Sequence, residues 1–147
     1  MHCDEPGHDA FADLEALGVE TVGLLSRPPP ETVAAVTGTQ FFWISQCHPV
    51  AILGFLEIEA YHPSPAAVER LIERTGLPRA GFRHLLLHAE LDVAHAEELH
   101  RLLDSLPLEP YHEELIGVSA LQTLALLTDA GMDVVAAAGS SRAGAAG

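Results

Sequence analysis

The chain has 147 residues, a size for one domain that buries a substantial core, and 48% of them are apolar, which excludes disorder across the whole chain. Its formal charge is −14, with seven arginines and no lysine, so nucleic acid and anionic membrane surfaces are excluded as expected partners. Two cysteines, Cys3 and Cys47, are too few for a disulfide framework and lack zinc-site spacing.

No charged-then-apolar leader pattern opens the sequence at Met1, and a soluble cytoplasmic protein is expected. Glu5 to Leu17 has helical periodicity, with Phe11, Leu14 and Leu17 on one side and Gly18 as its stop. Arg27-Pro-Pro-Pro breaks the chain, and a second helix opens at Pro30-Glu31 and reaches about Ser45. Its end is rich in aromatic residues, Phe41, Phe42 and Trp43. After Cys47-His48-Pro49 comes a strongly apolar helix, Val50 to about Tyr61, interrupted by charge only at Glu57 and Glu59. Those two carboxylates lie about 200° apart on the helix, so only one faces any single site.

Ser64 suits an N-cap with Pro65 at the first helical position, and Gly76 stops the helix that follows. A long helix is predicted over 79–105 and a last one from Pro110 to about Val135. The span Leu115–Ala138 carries Ser119, Gln122, Thr123, Thr128, Asp129 and Asp133, which suits a buried bundle helix better than a transmembrane segment. The Gly/Ala/Ser-rich segment 139–147 reads as a disordered tail to a single helical domain over 1–138. No stretch alternates as a strand does, so the fold class is all-α, with five or six helices.

Within the long helix, His88, Asp92 and His95 fall inside roughly 60° of arc and share one stripe. Imidazole, carboxylate and imidazole on successive turns is a pattern that a helix presents to a metal in a bundle core. His84 stands at the edge of the stripe and Glu98 to its side. Glu59-Ala-Tyr-His62 and Glu5-Pro-Gly-His8 repeat a Glu-x-x-His spacing that places both side chains on neighbouring turns. Zinc suits this set less well than iron, because carboxylates are numerous and no cysteine pair is present.

Three phrases, Ala51-Ile-Leu-Gly-Phe-Leu-Glu-Ile-Glu-Ala-Tyr, His88-Ala-Glu-Leu-Asp-Val-Ala-His and Ser119-Ala-Leu-Gln-Thr-Leu, resemble the haem-oxygenase-like di-iron oxidases and oxygenases, the iron-containing redox enzymes. The resemblance implies a haem-oxygenase-like helical bundle with two non-haem iron ions and O2 as co-substrate. It also implies the ligands: Glu59 bridging, His88, Asp92 and His95 from the third core helix, and Glu5 with His8 from the first. His62 stands where relatives tend to carry proline. Relatives act on fatty acids, amino acids and aromatic precursors, so a small organic molecule is the expected substrate, with Phe42, Trp43, Phe55 and Tyr61 as the residues to line its pocket. Family members usually carry several dozen residues before the first ligand, so the first core helix reads as truncated here. Closure by a homodimer is one reading of that start. The competing function, from another class, is a non-catalytic helical module that dimerises or binds a partner.

Overall fold

The computed structural model describes residues 10–60 and 63–144, with side chains apart from residue 25 and residues 137–144. Among the described residues there are six α-helices and no strand. They are α1 (Ala10–Ala16), α2 (Glu31–Phe42), α3 (Ile52–Glu59), α4 (Pro65–Thr75), α5 (Arg83–Ser105) and α6 (Pro110–Gly144). The chain divides into two compact units, one of Met1–Pro28 with Glu59–Leu102, the other of Pro29–Ile58 with Leu103–Gly147.

In the first unit, α1 ends where its glycine dictates. Gly18 has φ of 80°, its N–H donates to the Glu15 carbonyl at 2.9 Å, and the Val19 N–H reaches back to Leu14 at 3.0 Å. This is the Schellman closure that a residue without Cβ permits. Of the expected apolar side of α1, Leu17 packs on the core while Phe11 is 41% exposed, and the most buried residue of the helix is Asp13. α4 begins at Ser64 and Pro65 as expected, although the serine side chain makes no capping bond, and Gly76 closes it at φ of 64°. A 3-10 turn, Arg79–Phe82, then leads straight into α5. Val68, Phe82 and Ala89 form the buried centre, with Leu17, Ile72, Leu85 and Leu86 packed around it. On the surface Arg79 pairs with Glu69, and that hydrogen bond holds the guanidinium pKa above its ordinary value.

The second unit is built on α2, α3 and α6. α2 passes into a π-helical turn over Trp43–Cys47, closed by the His48 N–H donating to the Trp43 carbonyl at 3.0 Å. Pro49 ends it, because the residue before a proline is driven to extended backbone; His48 has φ of −153° and ψ of 140°. The His48 Nδ1 then accepts from the Val50 N–H at 3.2 Å and caps the short 3-10 turn Pro49–Ala51 that opens α3. His112 does the same at the head of α6, its Nδ1 accepting from the Glu109 N–H at 3.2 Å, and the two rings lie 4.6 Å apart. Gly54 lets α3 lie directly on α6: a Cβ there would come within 2.7 Å of the Ala120 nitrogen. Between α2 and α6, the buried Gln40 Nε2 donates to Thr123 Oγ1 at 3.0 Å. Trp43 Nε1 donates to Gln122 Oε1 at 2.9 Å.

α6 continues to Gly144, past the end near Val135 expected from the sequence and into the segment whose composition suggested disorder. Alanine has the highest helix propensity, and Ala136, Ala137 and Ala138 carry the helix on with no proline to stop it. By length and composition alone, Pro110–Ala136 would suffice to cross a bilayer, and its polar interruptions do not prevent this.

Candidate metal centre

The candidate centre sits on α5, and α5 is aimed by a residue of α1. Asp13 Oδ1 accepts from Arg83 Nε at 2.9 Å, and Oδ2 accepts from the backbone N–H of His84 at 2.8 Å. The N–H groups of a helix's first turn have no partner within the helix, and the positive end of its dipole faces the same way. A carboxylate delivered from another helix satisfies both needs and fixes where α5 begins. One turn beyond this anchor is His88.

Ala89, Asp92 and Leu99 are the buried residues of α5, so the stripe that carries the acid does face inward. Asp92 is 7% exposed, whereas the side chain of His88 is 22% exposed and that of His95 is 56% exposed. Asp92 Oδ1 lies 3.3 Å from His88 Nδ1 and 3.1 Å from His95 Nδ1. Two imidazoles thus converge on one carboxylate oxygen from the turns before and after it. Without metal, either ring can donate to that oxygen through Nδ1–H. The ring of His84 lies 4.3 Å from that of His88, tilted by 47°, and its Nδ1 is buried.

The donor chemistry fits iron. Neutral imidazole and carboxylate are its usual protein ligands. The fit is partial, since among the described residues no group of three or more His, Cys, Asp or Glu is disposed to hold a metal ion. Completion falls to groups beyond the three on α5. Glu59, the last residue of α3, is half-buried and belongs to the same compact unit. Glu5 and His8 lie outside the described residues, as do His62 and Tyr61. Glu57 is half-buried in the other unit, with Oε2 buried.

The aromatic residues expected to line a pocket separate. Phe42 and Trp43 border a groove of about 340 Å³ in the second unit, together with Ala35, Gly38, Thr39 and Gln122. Their rings meet edge to face, centroids 5.4 Å apart. Phe55 is half-buried on α3 and does not line this groove.

Sequence reasoning overlooked Asp13 and set His84 aside. Asp13 has no signature of its own, because its partner is the start of a helix 70 residues away. His84 was detectable in principle, four positions before His88 and so its neighbour on the helix surface.

A histidine–aspartate–histidine face on a helix of an all-α chain has the donor types with which helical bundles hold metal ions. The family model for iron-containing redox enzymes matches residues 10–128, and the chain belongs to that family. The matched span holds Glu59, His88, Asp92 and His95. No curated protein and no solved structure matches the chain.

Proposed function

We propose that the chain is a non-haem di-iron oxidase or oxygenase that uses O2 to oxidise a small organic substrate. The observation that carries this reading is the convergence of His88 and His95 on the buried Asp92 within a family of iron-containing redox enzymes. His88, Asp92 and His95 would hold iron from α5, Glu59 would bridge two ions, and Glu5 with His8 would complete the set. Iron bound there supplies the reduction of O2 and the oxidation of a C–H, C–C or N–H bond. The protein's own part is positional. Asp13 fixes the start of α5, the His84 ring limits rotation of His88, and the buried Asp92 aligns both imidazoles through one oxygen. Phe42 and Trp43 offer a groove whose lining has no charged residue, which suits an uncharged aromatic or alkyl portion of the substrate. A cytoplasmic enzyme without nucleic-acid or membrane partners accords with the acidic composition.

Anaerobic titration with ferrous iron tests the reading. The expected result is two irons per chain, an absorption change on admitting O2, and loss of binding in Asp92→Ala and His95→Ala. Substoichiometric iron with no response to O2 would reject it. That outcome would favour the second reading, a non-catalytic helical relative that acts as a dimerisation or partner-binding module. Its supporting observation is that no complete ligand group occurs among the described residues.

A further inference from the structure

Trp43 and Gln122 bond to each other in a way that leaves one kind of polar group over. The indole N–H only donates, so its partner in the Gln122 amide, at 2.9 Å, is the oxygen. That contact fixes the amide, and the two N–H donors of Gln122 are directed away from the indole. Thr39, one turn before Trp43 on α2, adds another donor. Its hydroxyl makes no hydrogen bond among the described residues, whereas those of Thr37, Thr75 and Thr128 bond back to the carbonyl four residues earlier. Trp43, Gln122 and Thr39 all line the groove of about 340 Å³, which lies wholly within the second unit. The indole donor and the amide acceptor are spent on each other, so what remains for a ligand is donors.

Gly38 keeps the groove open. Glycine is among the poorest helix formers, yet Gly38 stands inside α2, and nothing lies within 4 Å of where its Cβ would be. Gly54 differs, since its missing Cβ admits the α6 backbone, and Gly18 and Gly76 have positive φ. Gly117 and Gly131 of α6 are as unconstrained as Gly38 but do not line the groove. Around Gly38 stand Ala35 and the rings of Phe42 and Trp43, which give a ligand apolar walls.

Charge narrows the ligand further. No charged residue lines the groove, so a carboxylate or phosphate would lose hydration without a counter-charge, on a chain whose net charge is already −14. An ammonium group, which has only donors, would meet the donors of Gln122 and Thr39. The volume is at the small end of ligand pockets, about 300–1,000 Å³, and suits one ring with a short side group. From the donors, the aromatic walls and the missing charge we infer that the groove binds an uncharged planar molecule with a carbonyl acceptor, an aromatic amide or ketone. Its ring lies against Trp43 and its oxygen accepts from Gln122 Nε2 and Thr39 Oγ1. That the molecule is the substrate rests on the function proposed above; that it binds does not, because no residue of the groove belongs to the metal centre.

Benzamide added to the full chain tests this, with the emission of Trp43, the only tryptophan, as the readout. A saturable change is expected, with Kd on the order of 1 mM for a molecule of this size. Benzoate, benzylammonium and toluene present the same ring with a negative charge, a positive charge and no acceptor. Each should bind about fivefold more weakly or worse. Thr39→Val removes the hydroxyl, and Gln122→Glu removes the amide donors while keeping an oxygen for the indole N–H. Either should weaken benzamide by about threefold to tenfold. Gly38→Leu puts a side chain into the groove and should abolish the saturable change. Gly131→Leu, the same exchange at an equally open site on α6, should leave it intact. Circular dichroism checks that each variant keeps its helicity, and Thr39→Val with Gln122→Glu decides the matter if Gly38→Leu does not. A response that never saturates, or that survives Gly38→Leu in a folded protein, would overturn the inference. So would benzoate, benzylammonium or toluene binding as tightly as benzamide, or no effect of Thr39→Val and Gln122→Glu. Iron uptake at α5 is read separately, so failure here is distinct from failure of the iron reading.

Discussion

Asp13→Ala removes a carboxylate that is 6% exposed and holds the start of α5 through two hydrogen bonds. Its two contacts are unequal. The Arg83 side chain is 50% exposed, so its ion pair is screened by solvent and contributes well under about 1 kcal/mol. The bond from the His84 N–H is a helix cap, for which about 1 kcal/mol is typical, and the charge on the acceptor raises that toward about 2. The sum is about 2 kcal/mol, which for a chain of this size lowers Tm by about 4–8 °C. Arg83→Ala should then cost less than half as much as Asp13→Ala. Asp13→Asn should fall between them, since one of its two contacts would set an N–H against a donor. Thermal and urea unfolding of the three variants, with m-values compared to confirm a common unfolding transition, measures the series. If Asp13→Ala lies within about 0.5 kcal/mol of the parent, or if Arg83→Ala matches it, the carboxylate is not what anchors α5 and the reasoning fails.

Gly54→Ala should destabilise the second unit by about 3 kcal/mol or more, because the new methyl meets the α6 backbone at Ile116 and Ala120 and neither can step aside; chemical denaturation reads this directly. Thr123→Val takes away the partner of the buried Gln40 amide and should cost about 1–2 kcal/mol, measured in the same way. Ser119→Ala, by contrast, removes a buried hydroxyl that has no hydrogen-bond partner among the described residues, so a change between zero and a gain of about 1 kcal/mol is expected. Trp43 is the only tryptophan, so a neutral aromatic such as phenol entering the groove should quench the intrinsic fluorescence, and benzoate should do so more weakly. Equal quenching by both would show that the uncharged lining does not select its ligand.

Helix existence was legible in the sequence because it rests on local chemistry. Gly18 and Gly76 end their helices through backbone angles that a residue without Cβ adopts readily, and Pro49 and Pro65 act through a missing N–H and a fixed φ. The spacing of His88, Asp92 and His95 is likewise local, since seven residues of one helix keep their relative positions wherever that helix is placed. Which side of a helix turns inward is not local. The apolar pattern of α1 put Phe11, Leu14 and Leu17 on one side; the structure packs Leu17 on the core but buries Asp13 rather than Phe11, because an acid satisfies the first-turn N–H of α5 and a phenyl ring does not. On α6, a sequence apolar on nearly every side has no preferred inner face, and the contacts of α2 and α3 decide it. They bury Ser119 and Thr123 and leave Leu121 and Met132 exposed. Composition and spacing, then, determined an acidic, all-α chain and a histidine–aspartate–histidine face. Tertiary packing decided that Asp13 aims this face, that His84 lies against His88, and that α6 keeps an apolar side uncovered. A backbone group's need for a partner, and the contacts available across the fold, depend on segments far apart in the chain.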